Sequence, residues 1–275
     1  MSSSILEAED IIFSYPDGTK ALDGLSISIE EGKKVAILGA NGAGKSTLFL
    51  HFNGILQPDQ GSIKFKGETV KYNKRALKEL RKNVGIVFQD PDMQLFSSSV
   101  FQEISFGPLN LGLSEEEVRA RVNEAMKVTG ITELKDRPTH LLSYGQKKRI
   151  SIADILAMKP QAIIFDEPTV WLDPRHSNEI IDFFDEINNQ GITVILSTHD
   201  VNLAYSWADY VYIFAEGKII GEGVPSDIFQ DKELLMNADL TQPWIVEVYN
   251  ELVQKNILAS DFPIPDSKRE LFSLL

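Results

Sequence analysis

The sequence predicts an α/β fold in which a mainly parallel central sheet is covered by helices on both faces. Short continuous apolar runs, the pattern of strands buried on both faces, alternate along the 275 residues with segments of helical period. The runs occupy residues 35–38, 84–88, 162–165 and 192–196. Glycine-rich or polar residues follow each run at once. Because ligands of such sheets bind at the carboxyl ends of the strands, the four strand ends predict one shared binding site.

The residues before the first run predict short strands. The alternation of Leu25, Ile27 and Ile29 with polar residues is that of a half-buried strand, and a turn with Pro and Gly at 15–18 precedes it. Residues 63–65 predict another short strand. The segment 74–82, with five basic side chains, predicts a solvated surface helix.

The middle of the chain changes to helical patterns. Residues 92–113 contain glycines and a proline, and we predict a loop with short helices there. Ser114, with Glu117 three residues later, predicts a capped helix start. Ser143 and Gln146 predict a second one, for a helix that extends to about residue 158.

The last third of the chain predicts helices around one hairpin. Apolar side chains at 180, 183, 184 and 187 share one helical face, and residues 211–220 predict a hairpin at the sheet edge. A helix is expected to begin at Pro225, and residues 245–252 predict an amphipathic helix. Residues 260–275 show no clear period.

A glycine-rich segment, Gly39-Ala-Asn-Gly-Ala-Gly-Lys-Ser-Thr47, links the first buried run to a helix. Its glycines let the main chain approach a ligand closely, and the N–H groups at the start of the helix form an anion site. Lys45 can reach the terminal phosphates of a nucleotide, and the Ser46 hydroxyl can hold Mg²⁺. An ordinary glycine-rich turn is the alternative. The strand-loop-helix context favours a nucleoside triphosphate site.

The other strand ends carry polar groups suited to nucleotide chemistry. Asp166 follows a buried run, as the acidic partner of a phosphate loop does, and is predicted to hold Mg²⁺ through its water shell. Glu167 is placed to polarise an attacking water, against the alternative that it caps the next element. Gln89 and His199 end the remaining runs, and His199 is predicted to contact the γ-phosphate.

Composition limits the classes of partner. A net charge of −13 disfavours nucleic acid, whose binding depends on a surplus of Lys and Arg. There is no cysteine, which excludes thiolate metal sites, and the four histidines show no ligand spacing. The N-terminus lacks a signal-peptide pattern, and no stretch reaches the roughly 18 apolar residues of a membrane helix. Any membrane role is therefore expected to come through a partner.

Together these motifs resemble the ATP-binding subunits of ATP-binding-cassette (ABC) transporters over roughly residues 5–225. The resemblance rests on the phosphate loop, a glutamine loop at Gln89, the signature at 142–146, the acidic strand end at 163–169, the Leu172-Asp173 loop and a histidine switch at His199. It implies an ABC ATPase domain at 1–225, with an antiparallel β subdomain and a helical signature subdomain at about 90–160. A C-terminal helical extension would follow at 226–275.

In this family two subunits pack head to tail, with each ATP between the phosphate loop of one and the signature of the other. The resemblance implies that Glu167 activates water, that His199 senses the γ-phosphate and that Asp173 communicates across the dimer. It implies Mg²⁺ ligation by Ser46, Gln89 and Asp166, and closure of the partner's site by Ser143, Gly145 and Gln146. Tyr15 would stack on adenine. The ATP-binding set it implies is Tyr15, Gly39, Asn41, Gly42, Ala43, Gly44, Lys45, Ser46, Thr47 and Gln89.

A narrower resemblance is to the energy-coupling-factor (ECF) importers and, among them, to the cobalt-importer ATPase. The segments that carry it are 88–96, 105–113, 142–149 and 197–209. It implies a peripheral protein on the cytoplasmic face of the cell membrane that drives cobalt or nickel uptake. Its partners would be a transmembrane coupling subunit and a substrate-binding membrane subunit.

The ECF resemblance also implies surfaces for these partners. Asp90 and Asp92 are the candidates for an acidic groove that receives coupling helices, with solvated loop acids as the equal alternative. The extension beyond 225 is expected to help dimerisation. A homodimer and a heterodimer with a sister ATPase both remain open, since one chain carries both halves of the composite site.

Two positions depart from the family pattern. Tyr144 replaces the first glycine of the signature, which questions the local conformation because Tyr cannot adopt positive φ cheaply. Val170 and Trp171 stand where small residues are usual, and Trp171 is expected to reshape the dimer interface. Neither removes a catalytic group, so we expect an active ATPase.

Three alternative functions stay open. The same ATPase would serve another ECF substrate, such as a vitamin. A soluble ABC protein acting on ribosomes or DNA is disfavoured by the single cassette and the acidic charge. A nucleotide-binding regulator without turnover is disfavoured by Glu167 and His199.

Overall fold

The computed structural model describes residues 3–259 and 262–275. Its strands are β1 Ser4–Ser14, β2 Lys20–Glu30, β3 Lys34–Leu38, β4 Gln60–Phe65, β5 Glu68–Thr69, β6 Val84–Val87, β7 Ala162–Phe165, β8 Thr193–Thr198, β9 Tyr210–Ala215 and β10 Lys218–Gly223. Its α-helices are α1 Lys45–Phe52, α2 Lys74–Asn83, α3 Val100–Leu111, α4 Glu115–Val128, α5 Tyr144–Leu156, α6 Pro174–Asn188, α7 Val201–Trp207, α8 Pro225–Ile228, α9 Lys232–Asn237, α10 Trp244–Gln254 and α11 Lys268–Ser273.

The central sheet has six strands in the order β10-β9-β3-β8-β7-β6. All neighbours are parallel except β9 and β10, which form the hairpin expected at the sheet edge. Successive residues of β3 alternate between two apolar clusters: Val35 and Ile37 pack towards α1, and Ala36 and Leu38 towards α6 and α7. Both faces are therefore covered, which confirms the prediction of a mainly parallel, fully buried sheet.

A second sheet, in the order β2-β1-β4-β5, is antiparallel throughout. Its inner face shares an apolar cluster with α1 and one face of the central sheet. The antiparallel β subdomain implied by the family resemblance is therefore present. It lies against the helix that follows the phosphate loop.

Helices α3, α4 and α5 surround a separate apolar cluster. The prediction of a loop with short helices at 92–113 is wrong for its second half, because α3 runs for 12 residues with Pro108 in its last turn. Ser99 caps this helix, and Val100 and Ile104 are buried against α4 and α5. Packing of an apolar face outweighs the hydrogen bond that the proline removes. The predicted caps Ser114 and Ser143 begin α4 and α5.

The C-terminal helices α8 to α11 extend the core on the α6 side of the central sheet. Phe229, Leu235, Ile245 and Leu271 belong to the same apolar cluster as α6 and α7. Within residues 260–275, where the sequence shows no period, the described part contains α11. Across the described residues, no helix combines the length and apolar content needed to cross a bilayer.

Candidate functional site

The polar groups singled out in the sequence lie at the carboxyl ends of adjacent parallel strands. β3 leads into the phosphate loop, β8 into His199, β7 into Asp166 and Glu167, and β6 into Gln89. These strands pair in continuous register up to this edge. The topology therefore collects four groups that are far apart in the chain at one edge of the sheet.

The phosphate loop requires glycine where it passes its neighbours. Gly39 has a φ of 150°, and a Cβ added there would lie 2.3 Å from the main-chain oxygen of Phe214 on β9. Gly44 has a φ of 109°, and its Cβ would lie 2.6 Å from the main-chain oxygen of Ala21 on β2. These two glycines let the loop curl tightly between the two sheets. The loop exposes Asn41, Gly42 and Ser46 and buries Ala43 and Thr47.

Lys45 is folded back onto its own loop. Its Nζ donates hydrogen bonds to the carbonyl oxygens of Gly39 at 2.6 Å and Ala40 at 3.0 Å. Burial lowers the pKa of Lys45, and the negative charges of Glu167 and Asp166 oppose that shift. Phosphate oxygens carry full negative charge, so they can replace neutral carbonyls as stronger partners of this ammonium group.

A buried serine that sequence reasoning missed joins the two acidic residues. Ser197, on β8, donates its hydroxyl to Asp166 Oδ1 at 2.6 Å and accepts the main-chain N–H of Glu167 at 2.9 Å. Its side chain is completely buried. The position carries no sequence signal of its own, because a serine near the end of an apolar strand is common. It fixes where β7 ends relative to β8.

Glu167 and His199 are in direct contact. His199 Nδ1 lies 3.1 Å from Glu167 Oε2, and the glutamate is 8% exposed. Its other oxygen, Oε1, is buried and has no hydrogen-bond partner among the described residues. Glu167 also has a φ of 44°, a conformation that costs a non-glycine residue free energy and is concentrated at functional sites. One carboxylate oxygen is thus held by His199, and the other is buried with its hydrogen-bonding capacity unused.

Tyr15 lies beside the phosphate loop. Its hydroxyl and the Thr47 hydroxyl are 3.0 Å apart, and its ring makes an edge contact with Phe13 at 5.1 Å between centroids. The side chain is half-buried, so part of the ring remains accessible. This placement puts an aromatic ring at one side of the loop.

The signature residues form a separate helix start at α5. Ser143 accepts the N–H of Gln146, and Gln146 Oε1 accepts the N–H of Ser143, so both residues close the box predicted from the sequence. Ser143 is exposed and Gly145 half-buried. Tyr144 is the first helical residue and does not need positive φ, which answers the question raised by this departure. The turn presents N–H groups and a positive helix end to solvent.

The remaining candidates lie on exposed loops. Asp173 caps α6 by accepting the N–H of His176, and hydrogen bonds from His176 hold the pKa of Asp173 below its usual value. Asp90 accepts the N–H of Asp92, and Asp92 pairs with Lys147 at 2.6 Å.

Trp171, the second departure from the family pattern, projects into solvent. Its side chain is 79% exposed, and its φ of 67° is strained for a bulky residue.

A large groove that the sequence did not reveal lies between the central sheet and the helices of residues 91–158. It has a volume of 990 Å³ and mostly apolar walls, formed in part by Ile55, Phe88, Phe96, Phe106 and Leu111. Phe96 and Phe106 are exposed and stack edge to face at 4.8 Å between ring centroids.

One acid borders this groove. Asp154, on α5, lines it, and burial together with the negative charge of Glu103 raises the pKa of Asp154 to about 7.

The donors around the phosphate loop fit a hard divalent cation only in part. Ser46, Gln89 and Asp166 offer a hydroxyl, an amide oxygen and a carboxylate, the oxygen ligands that Mg²⁺ prefers. Among the described residues no group of three or more His, Asp or Glu side chains comes together as a metal site. Mg²⁺ commonly completes its shell with water and substrate phosphates, so a site of this composition needs the nucleotide.

A family model described as ABC transporter matches residues 22–170. The chain is 52% identical over 252 residues to "Energy-coupling factor transporter ATP-binding protein EcfA" of Methanococcus maripaludis, covering 92% of this chain and 90% of the relative. It is 50% identical over 253 residues to a putative ABC transporter ATP-binding protein of Methanosarcina mazei, covering 92% of this chain but 56% of that longer protein.

A solved structure gives the same picture. The chain superposes on cbiO1 from Clostridium perfringens, described as part of the ABC transporter complex cbiONQ, with a TM-score of 0.77 and 46% identity. The match covers 90% of this chain and 99% of that one.

Proposed function

This chain belongs to the ABC transporter family, as an ATPase of the energy-coupling factor type, and we propose that it hydrolyses MgATP at a head-to-tail dimer interface to power uptake through membrane partners. One observation carries the proposal. The phosphate loop, Asp166, Glu167 and His199 meet at one sheet edge, and the signature turn forms a second anion-binding helix start on a different element, α5. In the head-to-tail arrangement that we propose, two chains complete each site.

The chain's own residues divide the work of binding and hydrolysis. Lys45 and the loop N–H groups bind the phosphates, and Tyr15 stacks on the base. Ser46, Gln89 and Asp166 hold Mg²⁺, which when bound supplies positive charge against the phosphate oxygens. The remaining residues of the ATP-binding set shape the loop: Gly39, Asn41, Gly42, Ala43, Gly44 and Thr47.

Glu167 orients the attacking water and accepts its proton. Its unpartnered Oε1 is the oxygen available for that task, while His199 holds Oε2 and senses the γ-phosphate. Ser197 keeps the main chain of Glu167 in place. The signature residues Ser143, Gly145 and Gln146 close the partner's site, and Asp173 communicates across the interface.

The apolar groove is the surface that we assign to the transmembrane coupling subunit. Its exposed phenylalanines suit an apolar helix face. Asp90 and Asp92 lie on the loop that leaves β6 and would receive basic residues of that subunit. An incoming arginine must displace Lys147 from Asp92.

We further propose that the C-terminal helices 226–275 strengthen the dimer. Met236, Ile257 and Phe272 lie in this segment with more than half of their surface exposed. The cargo that we propose is cobalt, with nickel second, by analogy with the cbiO1 structure and the sequence resemblance. The protein would then sit on the cytoplasmic face of the membrane through its partners.

Glu167→Gln tests the enzymatic part of this proposal. Because an amide cannot accept the proton of water, the ATPase rate should fall about 100-fold while ATP binding persists. Glu233→Gln, an exposed change on α9, is the matched control. A rate that survives Glu167→Gln would contradict the role assigned to Glu167, whereas a wild-type chain that binds ATP without hydrolysing it would favour a nucleotide-binding regulator.

A mild-detergent pull-down from native membranes tests the partners. Co-purification of a transmembrane coupling protein with a metal-type substrate subunit would support the importer and its cargo. Co-purification of a vitamin-type substrate subunit would refute the proposed cobalt cargo but would leave the ATPase role in place. Ribosomal or DNA-bound partners without a membrane protein would refute the transport proposal.

A further inference from the structure

Two side chains of α5, the signature helix, donate hydrogen bonds to the main chain at the start of the glutamine loop, residues 88–94. Tyr144 donates its hydroxyl to the carbonyl oxygen of Gln89 at 2.8 Å. Lys148 Nζ donates to the carbonyl oxygens of Phe88 at 2.8 Å and Gln89 at 3.0 Å. Tyr144 and Lys148 are four residues apart on α5, so they lie on one helix face. The Gln89 carbonyl thus receives two donors from the same helix.

Further bonds tie the rest of this loop to the same helix. Lys147 pairs with Asp92 at 2.6 Å, and Gln94 Nε2 donates to the Ser151 carbonyl oxygen at 3.2 Å. The side chain of Gln89 itself remains exposed. The main chain of the loop is therefore held by α5, while the Gln89 amide is free to meet a ligand.

Burying the charged side chain of Lys148 costs free energy. Its side chain is completely buried, and burial lowers the pKa of Lys148 to about 8 against the opposing charges of Asp166 and Asp90. Taking an ammonium group out of water is strongly unfavourable, and an apolar side chain of similar size would avoid that cost. Core packing alone does not account for a lysine here. Its bonds to two consecutive carbonyls do.

We propose that Tyr144 and Lys148 are positioning residues, which fix Gln89 to the signature helix so that the exposed signature turn and Gln89 of one chain move as a single body. This inference rests on the proposed head-to-tail site, in which the signature meets the partner's nucleotide and Gln89 meets the chain's own. Docking of the signature then sets the position of Gln89 at its own Mg²⁺. The tyrosine that departs from the family's glycine supplies a bond that glycine lacks.

The test compares Tyr144→Phe and Lys148→Met with the wild type. The first variant removes one hydrogen bond, and we expect the Mg²⁺ concentration that half-saturates the ATPase to rise about fivefold. The second removes both charge-assisted bonds, and we expect a rise of about tenfold or more. Amide exchange across residues 89–94 should quicken by about tenfold in Lys148→Met.

A merely structural role predicts a different pattern. Such a role would make any rise in the Mg²⁺ requirement of Lys148→Met follow from lost stability, because two carbonyl oxygens lose a donor. The positioning role predicts the rise in a variant that stays folded at the assay temperature. Tyr212→Phe removes a comparable tyrosine-to-carbonyl bond, to Ser28, away from the loop and is the matched control. It should leave both the Mg²⁺ requirement and the loop exchange unchanged.

The outcomes separate the two proposals. An unchanged Mg²⁺ requirement in both variants of an active enzyme, or unchanged loop exchange in Lys148→Met, overturns the positioning role alone. A wild-type chain that binds ATP without hydrolysing it overturns the proposed function, and the exchange measurement still decides whether α5 holds the loop. Parallel changes in both readouts, with the stability of Lys148→Met preserved, support the positioning role.

Discussion

Ser197→Ala removes the hydroxyl that joins the two acidic residues of the site. In the wild type this buried group donates to Asp166 at 2.6 Å and accepts the N–H of Glu167 at 2.9 Å. After the change, the Glu167 N–H is left buried without that acceptor, and Asp166 loses a donor. Ser197 has no exposed surface, and β7 and β8 pair directly up to Phe165 and Leu196, so water does not readily replace the lost hydroxyl.

The expected magnitude follows from these two losses. A buried N–H without a partner costs about 1 to 3 kcal/mol, and a hydrogen bond to a charged group contributes about 1.5 to 3 kcal/mol. Both losses come from the same hydroxyl, so their costs are not fully additive. We expect the free energy of unfolding to fall by about 3 kcal/mol. The main chain of Glu167 is then no longer held in place. Because a displacement of about 1 Å at a reacting group lowers the rate about 100-fold, we expect the ATPase rate to fall by about that factor.

Urea unfolding and phosphate release measure the two effects. Ser206→Ala removes an exposed hydroxyl on α7 that bonds only to the preceding helical turn, and serves as the control with a change below about 0.5 kcal/mol. The reasoning is refuted if Ser197→Ala unfolds within about 0.5 kcal/mol of the wild type and hydrolyses ATP at the wild-type rate.

Three further predictions concern other parts of the chain. Gly39→Ala should abolish ATP binding, measured by nucleotide fluorescence, because its Cβ would lie 2.3 Å from a main-chain oxygen that cannot move aside. The wild type should lose stability as the pH rises from about 4 to 7, because Asp154 keeps its proton in the folded state and loses it in the unfolded chain. Urea unfolding of Asp154→Asn should show no such loss. Raising a pKa from 3.8 to about 7 is worth at most about 4 kcal/mol, so the variant should be the more stable protein above pH 7. Phe96→Ser with Phe106→Ser should reduce co-purification of the membrane partner about tenfold or more, because apolar aromatic anchors dominate such interfaces.

Controls make these three predictions decisive. Gly18→Ala changes another glycine with positive φ, at 89° against 150° for Gly39, but with open space around it, so it tests strain from positive φ without a clash. Asp182→Asn, on the exposed side of α6, should leave the pH profile as it is. Ile220→Ser tests whether loss of any exposed apolar side chain weakens the complex. Equal effects of variant and control would contradict the corresponding prediction.

Local sequence was sufficient where one segment determines its own structure. The phosphate loop follows from its glycines and from the strand and helix on either side of it. Continuous apolar runs identified the buried strands, because a strand covered on both faces tolerates little else. The caps at Ser114 and Ser143 marked helix starts, since a cap depends on residues three positions apart.

Sequence reasoning failed where packing overruled local signals. Pro108 and its neighbouring glycines argued for a loop, and α3 forms because Val100 and Ile104 are buried against two other helices. The apolar groove is likewise invisible in the chain. Its walls come from α2, α3, α5 and β6, and each of them is unremarkable alone.

The sequence by itself therefore determined the class of fold, the nucleotide loop and the strand ends that carry the acids. Only the tertiary structure decided which side chains complete the site. Ser197 meets Asp166 across 31 positions of the chain, and Lys148 meets Phe88 across 60. Such pairs depend on strand register and on how a helix packs on a sheet. Hydrophobic periodicity identifies the buried face of a helix or strand, but it does not identify the element against which that face packs.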